Sequence, residues 1–209
     1  MTAETISLKS KKTITPEIVK SLKGPTDKFL CPISANIYEI DFLGFKIRDL
    51  DTNTVLLDIH RVSFFFFESL SLDHLFQDPN DPSPMADPNL DDSDRLVRYR
   101  FGPEFLKLGS IGTTTEFSIG KKPLKNLRMI ENHYFKGKLL KQYDFTMPFC
   151  IPNTTNTWEV IYTLPTLSEK ELKDVIAHPW ETKSDTFYFV DNVLMIHNKA
   201  EYDYSELVV

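Results

Sequence analysis

The stretch RMIENHYF sets Glu131 and His133 two residues apart. On a strand, alternate side chains share a face, so this carboxylate and imidazole point the same way. Three chemistries suit such a pair. It is an ordinary solvated face, or half of a metal site, or the polar mouth of an apolar pocket where a ligand's head exchanges hydrogen bonds. The metal reading needs more ligands; His197 and Asp191 exist, but no spacing nominates them. Tyr99, Tyr143, Tyr162, Tyr188, Tyr202 and Tyr204 lie in separate strand or tail segments. Tyrosine offers apolar bulk with one polar tip, which suits a pocket that turns from greasy to wet. For any one of them taken singly, a core position with a satisfied hydroxyl is the favoured reading. Cys150 with a histidine would make a nucleophile and a base, but cysteine more often serves as a small buried hydrophobe. The sequence carries no P-loop, dinucleotide fingerprint, G-x-S-x-G or paired-cysteine zinc spacing. The expectation is a protein that is not an enzyme and uses no metal and no cofactor.

These residues must be held by strands. QYDFTMPFC aligns Tyr143, Phe145, Met147 and Phe149 on one face, a bulky apolar wall, with Asp144 and Thr146 on the other. NIYEIDFLGFKIRDLD alternates, breaks phase at Gly44 as a bulge would, then sends Phe45 and Ile47 one way and Lys46 and Arg48 the other. TVLLDIHR, RLVRYRF, TTTEFSIG, LRMIENHYF, KLLKQYDFTMPF, TWEVIYTL, DTFYFVDN and VLMIHNK complete the strand candidates, with FKGK and VDNV as hairpin turns. TITPEIVKSLKG predicts a short helix with Thr15 as N-cap, Pro16 first and Gly24 as the stop. SEKELKDVIAHP predicts a second, with a capping box between Ser168 and Glu171 and Pro179 beyond its end. About nine short strands and few helices make an all-β protein, an antiparallel β-sandwich.

The 209 residues suit a single domain over 15–209, preceded by a flexible tail over 1–14. Residues 77–94 contain six Asp, four Pro and no basic residue, and predict a disordered acidic insert. The four phenylalanines at 64–67 precede it and cannot all share one strand face. The net charge of −6 argues against nucleic acid as a partner. No apolar run is long enough to span a bilayer, so stable membrane insertion is not expected. The N-terminus lacks a signal-peptide core, and Thr2 stands where a myristoyl acceptor needs glycine. A cytoplasmic location is the default expectation, with Cys31 and Cys150 reduced and buried rather than bridged.

ANIYEIDFLGFKIRD, RLVRYRFGPEFLKLGSIGTTTEFSIG, NLRMIENHYFKGKLLKQYDFTMPFCIP, SDTFYFVDN and MIHNKAEYDYS resemble, in order and spacing, the uncoordinated-119 family of lipid-binding chaperones. These are relatives of the prenyl-binding delta subunit of rod phosphodiesterase. The resemblance runs from about Thr15 onward. It implies an immunoglobulin-like sandwich whose sheets are held apart by a hydrophobic pocket. It further implies N-myristoylated cargo, such as G-protein alpha subunits and ciliary proteins, released when a GTP-bound ARF-like small G protein binds outside. By similarity the lipid-binding residues are Phe45, Ile47, Tyr99, Phe105, Tyr143, Phe145, Tyr162, Leu164, Tyr188 and Tyr202, with Glu131 and His133 at the polar mouth. The long Phe-rich, acidic connection between His60 and Arg95 departs from the family pattern, as do Met147 and Leu164 where members often carry Phe. Two other readings stay open: a prenyl-binding chaperone of the same fold, and a structural or adaptor sandwich whose aromatics merely fill the core.

Overall fold

A computed structural model describes residues 13–60 and 95–205. The expected tail over 1–14 falls almost wholly outside the described residues, as do the acidic insert over 77–94 and phenylalanines 64–67. Within them, nine strands form two sheets. The smaller contains β1 (Asp41–Asp49), β2 (Val55–His60), β4 (Ser110–Ser118) and β7 (Thr155–Thr163), in the order β2-β1-β4-β7. The larger contains β3 (Leu96–Arg100), β5 (Leu124–Phe135), β6 (Lys138–Cys150), β8 (Thr182–Val190) and β9 (Val193–Asp203), in the order β3-β9-β8-β5-β6. The chain is thus an all-β, immunoglobulin-like sandwich with short helices α1 (Pro16–Lys20) and α2 (Glu169–Ile176). No helix among the described residues is long and apolar enough to cross a membrane.

Local chemistry accounts for most of these elements. In β1 the register slips between Phe42 and Gly44, so the bulge expected at the glycine is present. Both hairpin turns have two consecutive residues at positive φ, Lys136–Gly137 and Asp191–Asn192, the conformation that matches strand twist. Ser168 and Glu171 close the capping box of α2, and the Thr15 side chain caps α1.

Three details differ from the sequence reading. Helix α1 stops at Lys20 with Ser21 as its cap, not at Gly24, because the Ser21 hydroxyl and N–H turn back onto the last carbonyls. Residues 36–40 make a turn rather than the start of β1. There the Asn36 side chain accepts from Ile40 N–H at 3.0 Å and donates to Ile40 C=O at 2.9 Å, competing with a strand ladder. Finally, β3 pairs with β9 in parallel, whereas every other pairing is antiparallel. The two-residue alternation that reveals a strand is blind to its direction.

Two apolar clusters hold the fold. One lies between the sheets. The other covers the outer face of the larger sheet, where Val19 and Cys31, with Ile14, Leu22 and Leu30 beside them, pack on Ile130, Phe187, Phe189 and Leu194. Residues 14–35 therefore act as a strap. Strands β5 and β8 are buried on both faces as a result, which explains the unbroken apolar run Phe187–Val190. A polar clasp fixes the strap. Thr26 N–H donates to Asp185 Oδ2 at 2.8 Å, Leu30 N–H donates to His197 Nδ1 at 2.9 Å, and His197 Nε2–H donates to Asp185 Oδ1 at 3.1 Å. Both Asp185 and His197 are 0% exposed, and Lys199 balances the carboxylate at 2.9 Å. His197 therefore belongs to this clasp, while Asp191 sits in the β8–β9 turn and accepts from Asn126. Cys31 and Cys150 are buried in different clusters.

Candidate functional site

The two sheets do not close completely on each other. A cavity of about 170 Å³ lies between them. A water-sized site needs roughly 10–15 Å³ by that measure, so the space exceeds a packing defect by an order of magnitude. Its origin is a mismatch of side-chain size. Thr113 and Thr115 on β4 and Thr182, Ser184 and Thr186 on β8 present short side chains where Leu or Ile would fill the gap. Aromatic rings frame the rest. Phe45 meets Tyr99 at 6.5 Å, Tyr99 stacks on Tyr202 at 5.6 Å, and Tyr162 meets Tyr143 edge-on at 4.5 Å.

Eleven of the twelve residues singled out from sequence line this one space: Phe45, Ile47, Tyr99, Phe105, Glu131, His133, Tyr143, Tyr162, Leu164, Tyr188 and Tyr202. The twelfth, Phe145, does not. It sits behind the wall, stacked on Tyr143 at 6.3 Å and edge-on to Tyr162 at 5.1 Å. The rest of that alternating run also turns elsewhere: Met147 packs with the Cys150 sulfur at 3.2 Å, and Phe149 is 50% exposed. Strand β6 is an edge strand, and none of its residues 144–150 lines the cavity. The expected wall thus reaches the space only through Tyr143.

Sequence reasoning missed several lining groups. Phe42, Val97, Phe101, Leu140, Pro165, Leu167 and Val175 all contribute. Val175 carried a signal, because it lies on the apolar stripe of α2. Thr113, Thr115 and Ser184 carried none, since they matter by being small.

Among the described residues, Glu131 is the one acid lining the cavity. It is only 9% exposed. Tyr162 OH donates to its Oε2 at 2.7 Å, and His133 Nε2–H donates to its Oε1 at 2.7 Å. The register of β5 on β8 and β6 sets it between Thr186 and Tyr143. His133 is itself held, edge-on to Tyr143 and stacked on Tyr202, both at 5.6 Å. The pair is not an ordinary solvated face, because Glu131 is buried and the His133 side chain is only 22% exposed. Among the described residues no group of three or more His, Cys, Asp or Glu comes together at it. Burial raises the phenol pKa of Tyr99, Tyr143, Tyr162, Tyr188, Tyr202 and Tyr204, and the negative charge of Glu131 adds to each. The site is therefore an apolar chamber lined by neutral hydroxyls around one oriented carboxylate–imidazole pair.

The family model for the GMP-PDE delta subunit matches residues 34–204, which span both sheets and all of the cavity lining. The chain belongs to this family. Among curated relatives it is 48% identical to protein unc-119 of Caenorhabditis briggsae, over 94% of this chain and 82% of that protein. It is 46% identical to protein unc-119 homolog B of Homo sapiens, over 92% of this chain and 72% of that one. The Drosophila melanogaster unc-119 homolog is 45% identical over 91% of the chain. Within the GMP-PDE delta family the chain is an unc-119 relative, so it falls among the lipid-binding chaperones to which the sequence motifs pointed. For an unc-119 relative, the chamber between the sheets is the natural candidate for the ligand site.

Proposed function

We propose that the chain is a carrier for N-myristoylated proteins, that the acyl chain fills the cavity between the sheets, and that a GTP-bound ARF-like small G protein releases the cargo. The observation that carries this reading is the cavity itself, apolar over most of its lining with Glu131, His133 and Tyr162 as a compact polar cluster. Burying a methylene is worth roughly 0.8 kcal/mol, so about a dozen of them would supply on the order of 10 kcal/mol. A bilayer holds the same chain with K only about 10⁴ M⁻¹, so a protein pocket competes for it. The polar cluster would receive the amide and carbonyl at the head of the acyl chain, and the cargo peptide would continue outside. G-protein alpha subunits and ciliary proteins are the cargo that family resemblance favours, with shuttling between the cytoplasm and membranes, including the cilium.

A pocket that outcompetes a membrane needs a release step, because tight complexes differ mostly in dissociation rate. An effector on the outer surface speeds release only if it favours a different pocket shape. Coupling of about 1–3 kcal/mol would accelerate dissociation roughly 5- to 150-fold. The test is stopped-flow fluorescence with a labelled N-myristoyl-glycyl peptide, chased with unlabelled peptide, and with saturating G protein in each nucleotide form. The GTP form should accelerate dissociation and the GDP form should not. A farnesylated peptide that binds more tightly than the myristoylated one would establish the prenyl reading instead. No binding of either lipid would leave an adaptor whose aromatics only build the core.

A further inference from the structure

The main cavity has a neighbour. A second, smaller space of about 60 Å³ lies where the strap ends, roofed by Pro32, Ile33 and Ile40. The two spaces share three lining residues: Phe42, Val97 and Asn198. Phe42 is the ring at this junction, 5.1 Å from Tyr188 and 6.5 Å from Phe117. The route to it is open along the smaller sheet. Thr113 and Thr115 on β4 lie opposite Ile47 and Phe45 of β1, and the next inward position, Phe117, pairs with Phe42. Short side chains thus form a trough that runs from Tyr162 to the Phe42 ring. On the larger sheet, the step from Glu131 to Met129 along β5 moves from the level of Thr186 to that of Tyr188, toward the same ring.

We infer that Phe42 is the chain-length gauge of the site: it stops the tip of a bound acyl chain and separates the occupied cavity from a reserve space that longer chains could enter. This rests on the reading of the cavity as an acyl pocket with its polar end at Glu131. A chain headed at that carboxylate and laid in the trough ends against the Phe42 ring. Each methylene that finds apolar space is worth roughly a four-fold gain in affinity. Methylenes that meet the ring gain nothing, and forcing it aside costs packing against Tyr188 and Phe117. The ring therefore sets an upper limit on the chain, and its removal joins the two spaces.

The experiment uses one N-acyl-glycyl peptide with dodecanoyl, tetradecanoyl, hexadecanoyl and octadecanoyl chains, titrated into the wild-type chain, Phe42→Leu and Phe42→Ala. Wild type should gain affinity up to about the tetradecanoyl chain and then lose it. Phe42→Ala should raise the affinity of the hexadecanoyl and octadecanoyl peptides relative to the tetradecanoyl one by at least ten-fold, with Phe42→Leu in between. Phe42→Leu keeps a branched side chain in the core, so it reports even if the alanine variant fails to fold. The same length profile in wild type and in each folded variant would overturn the gauge while leaving the acyl pocket intact. An equal shift from Leu167→Ala, at the α2 end of the cavity, would place the chain tip there and also overturn it. If no acyl peptide binds wild type at all, the pocket reading and the gauge fall together.

Discussion

Alkali should unfold this protein in one narrow step, and the tyrosines report why. Seven phenols carry raised pKa values with burial as the leading cause: the six around Glu131, and Tyr134, pushed up to about 12. A group whose folded pKa lies above its unfolded value contributes stability that is complete below the unfolded pKa and is lost as pH rises beyond it. For tyrosine that boundary is about 10. Above it, each suppressed ionisation tilts the balance by roughly 1.4 kcal/mol per pH unit, so seven together give about 9–10. A domain stable by about 5–15 kcal/mol loses that margin within roughly one to two pH units. The expected transition lies between about pH 11 and 12. The assay follows tyrosinate absorbance at 295 nm and far-ultraviolet circular dichroism along one pH series. Both signals should change together and steeply. A gradual rise in absorbance centred near pH 10, with the dichroism unchanged, would show that these phenols ionise inside the native fold, and the buried tyrosine chamber would be refuted.

Asp144 is held down to about 2, chiefly by hydrogen bonds from Arg128, with Lys20 adding to it. A depressed carboxyl stabilises above its unfolded pKa and stops doing so as pH falls through the folded one. Arg128→Ala should therefore cost about 1–2 kcal/mol at pH 7 by urea denaturation, with the difference closing as pH falls from about 4 to 2. His197→Ala removes the acceptor of Leu30 N–H and the donor to Asp185, leaving a buried carboxylate short of a partner. It should cost about 3 kcal/mol or more and speed amide exchange in residues 26–33 far more than in β4. Burial depresses the His197 pKa against the pull of Asp185, so strap protection should weaken as pH falls through the unfolded histidine value near 6.5. Strap exchange that ignores both changes would rule out the clasp.

Much of the sandwich was legible because its signals are local. The Gly44 bulge, the Lys136–Gly137 and Asp191–Asn192 turns and the Ser168–Glu171 box each lie within a few residues. Glu131 and His133 were legible as a pair because alternation alone puts them on one face, and the family motifs gathered most of the lining around them. What escaped depends on long-range pairing. Alternation cannot give direction, so the parallel β3–β9 ladder was not visible. Tyr143 and Phe149 share a face by alternation, but the phase breaks near Pro148, so that Phe149 is exposed while Cys150 beside it is buried in the core between the sheets. The strap over residues 14–35 was not foreseen, although the run Phe187–Val190 and the pair Asp185 and His197 carried its trace. An apolar run without alternation implies cover on both faces, and charged groups inside such a strand imply a polar partner.

Native mass spectrometry of the chain with an N-myristoyl-glycyl peptide, its unacylated counterpart and the Ile47→Asp variant tests the acyl pocket most directly. Ile47 is buried and lines the cavity, so an aspartate there would set an unpaired charge among the methylenes. The account predicts a one-to-one adduct with the myristoylated peptide, none with the unacylated peptide, and loss of the adduct in an Ile47→Asp protein whose circular dichroism remains that of a folded sandwich. Equal adducts with both peptides, or an undiminished myristoyl adduct in the folded variant, would contradict it.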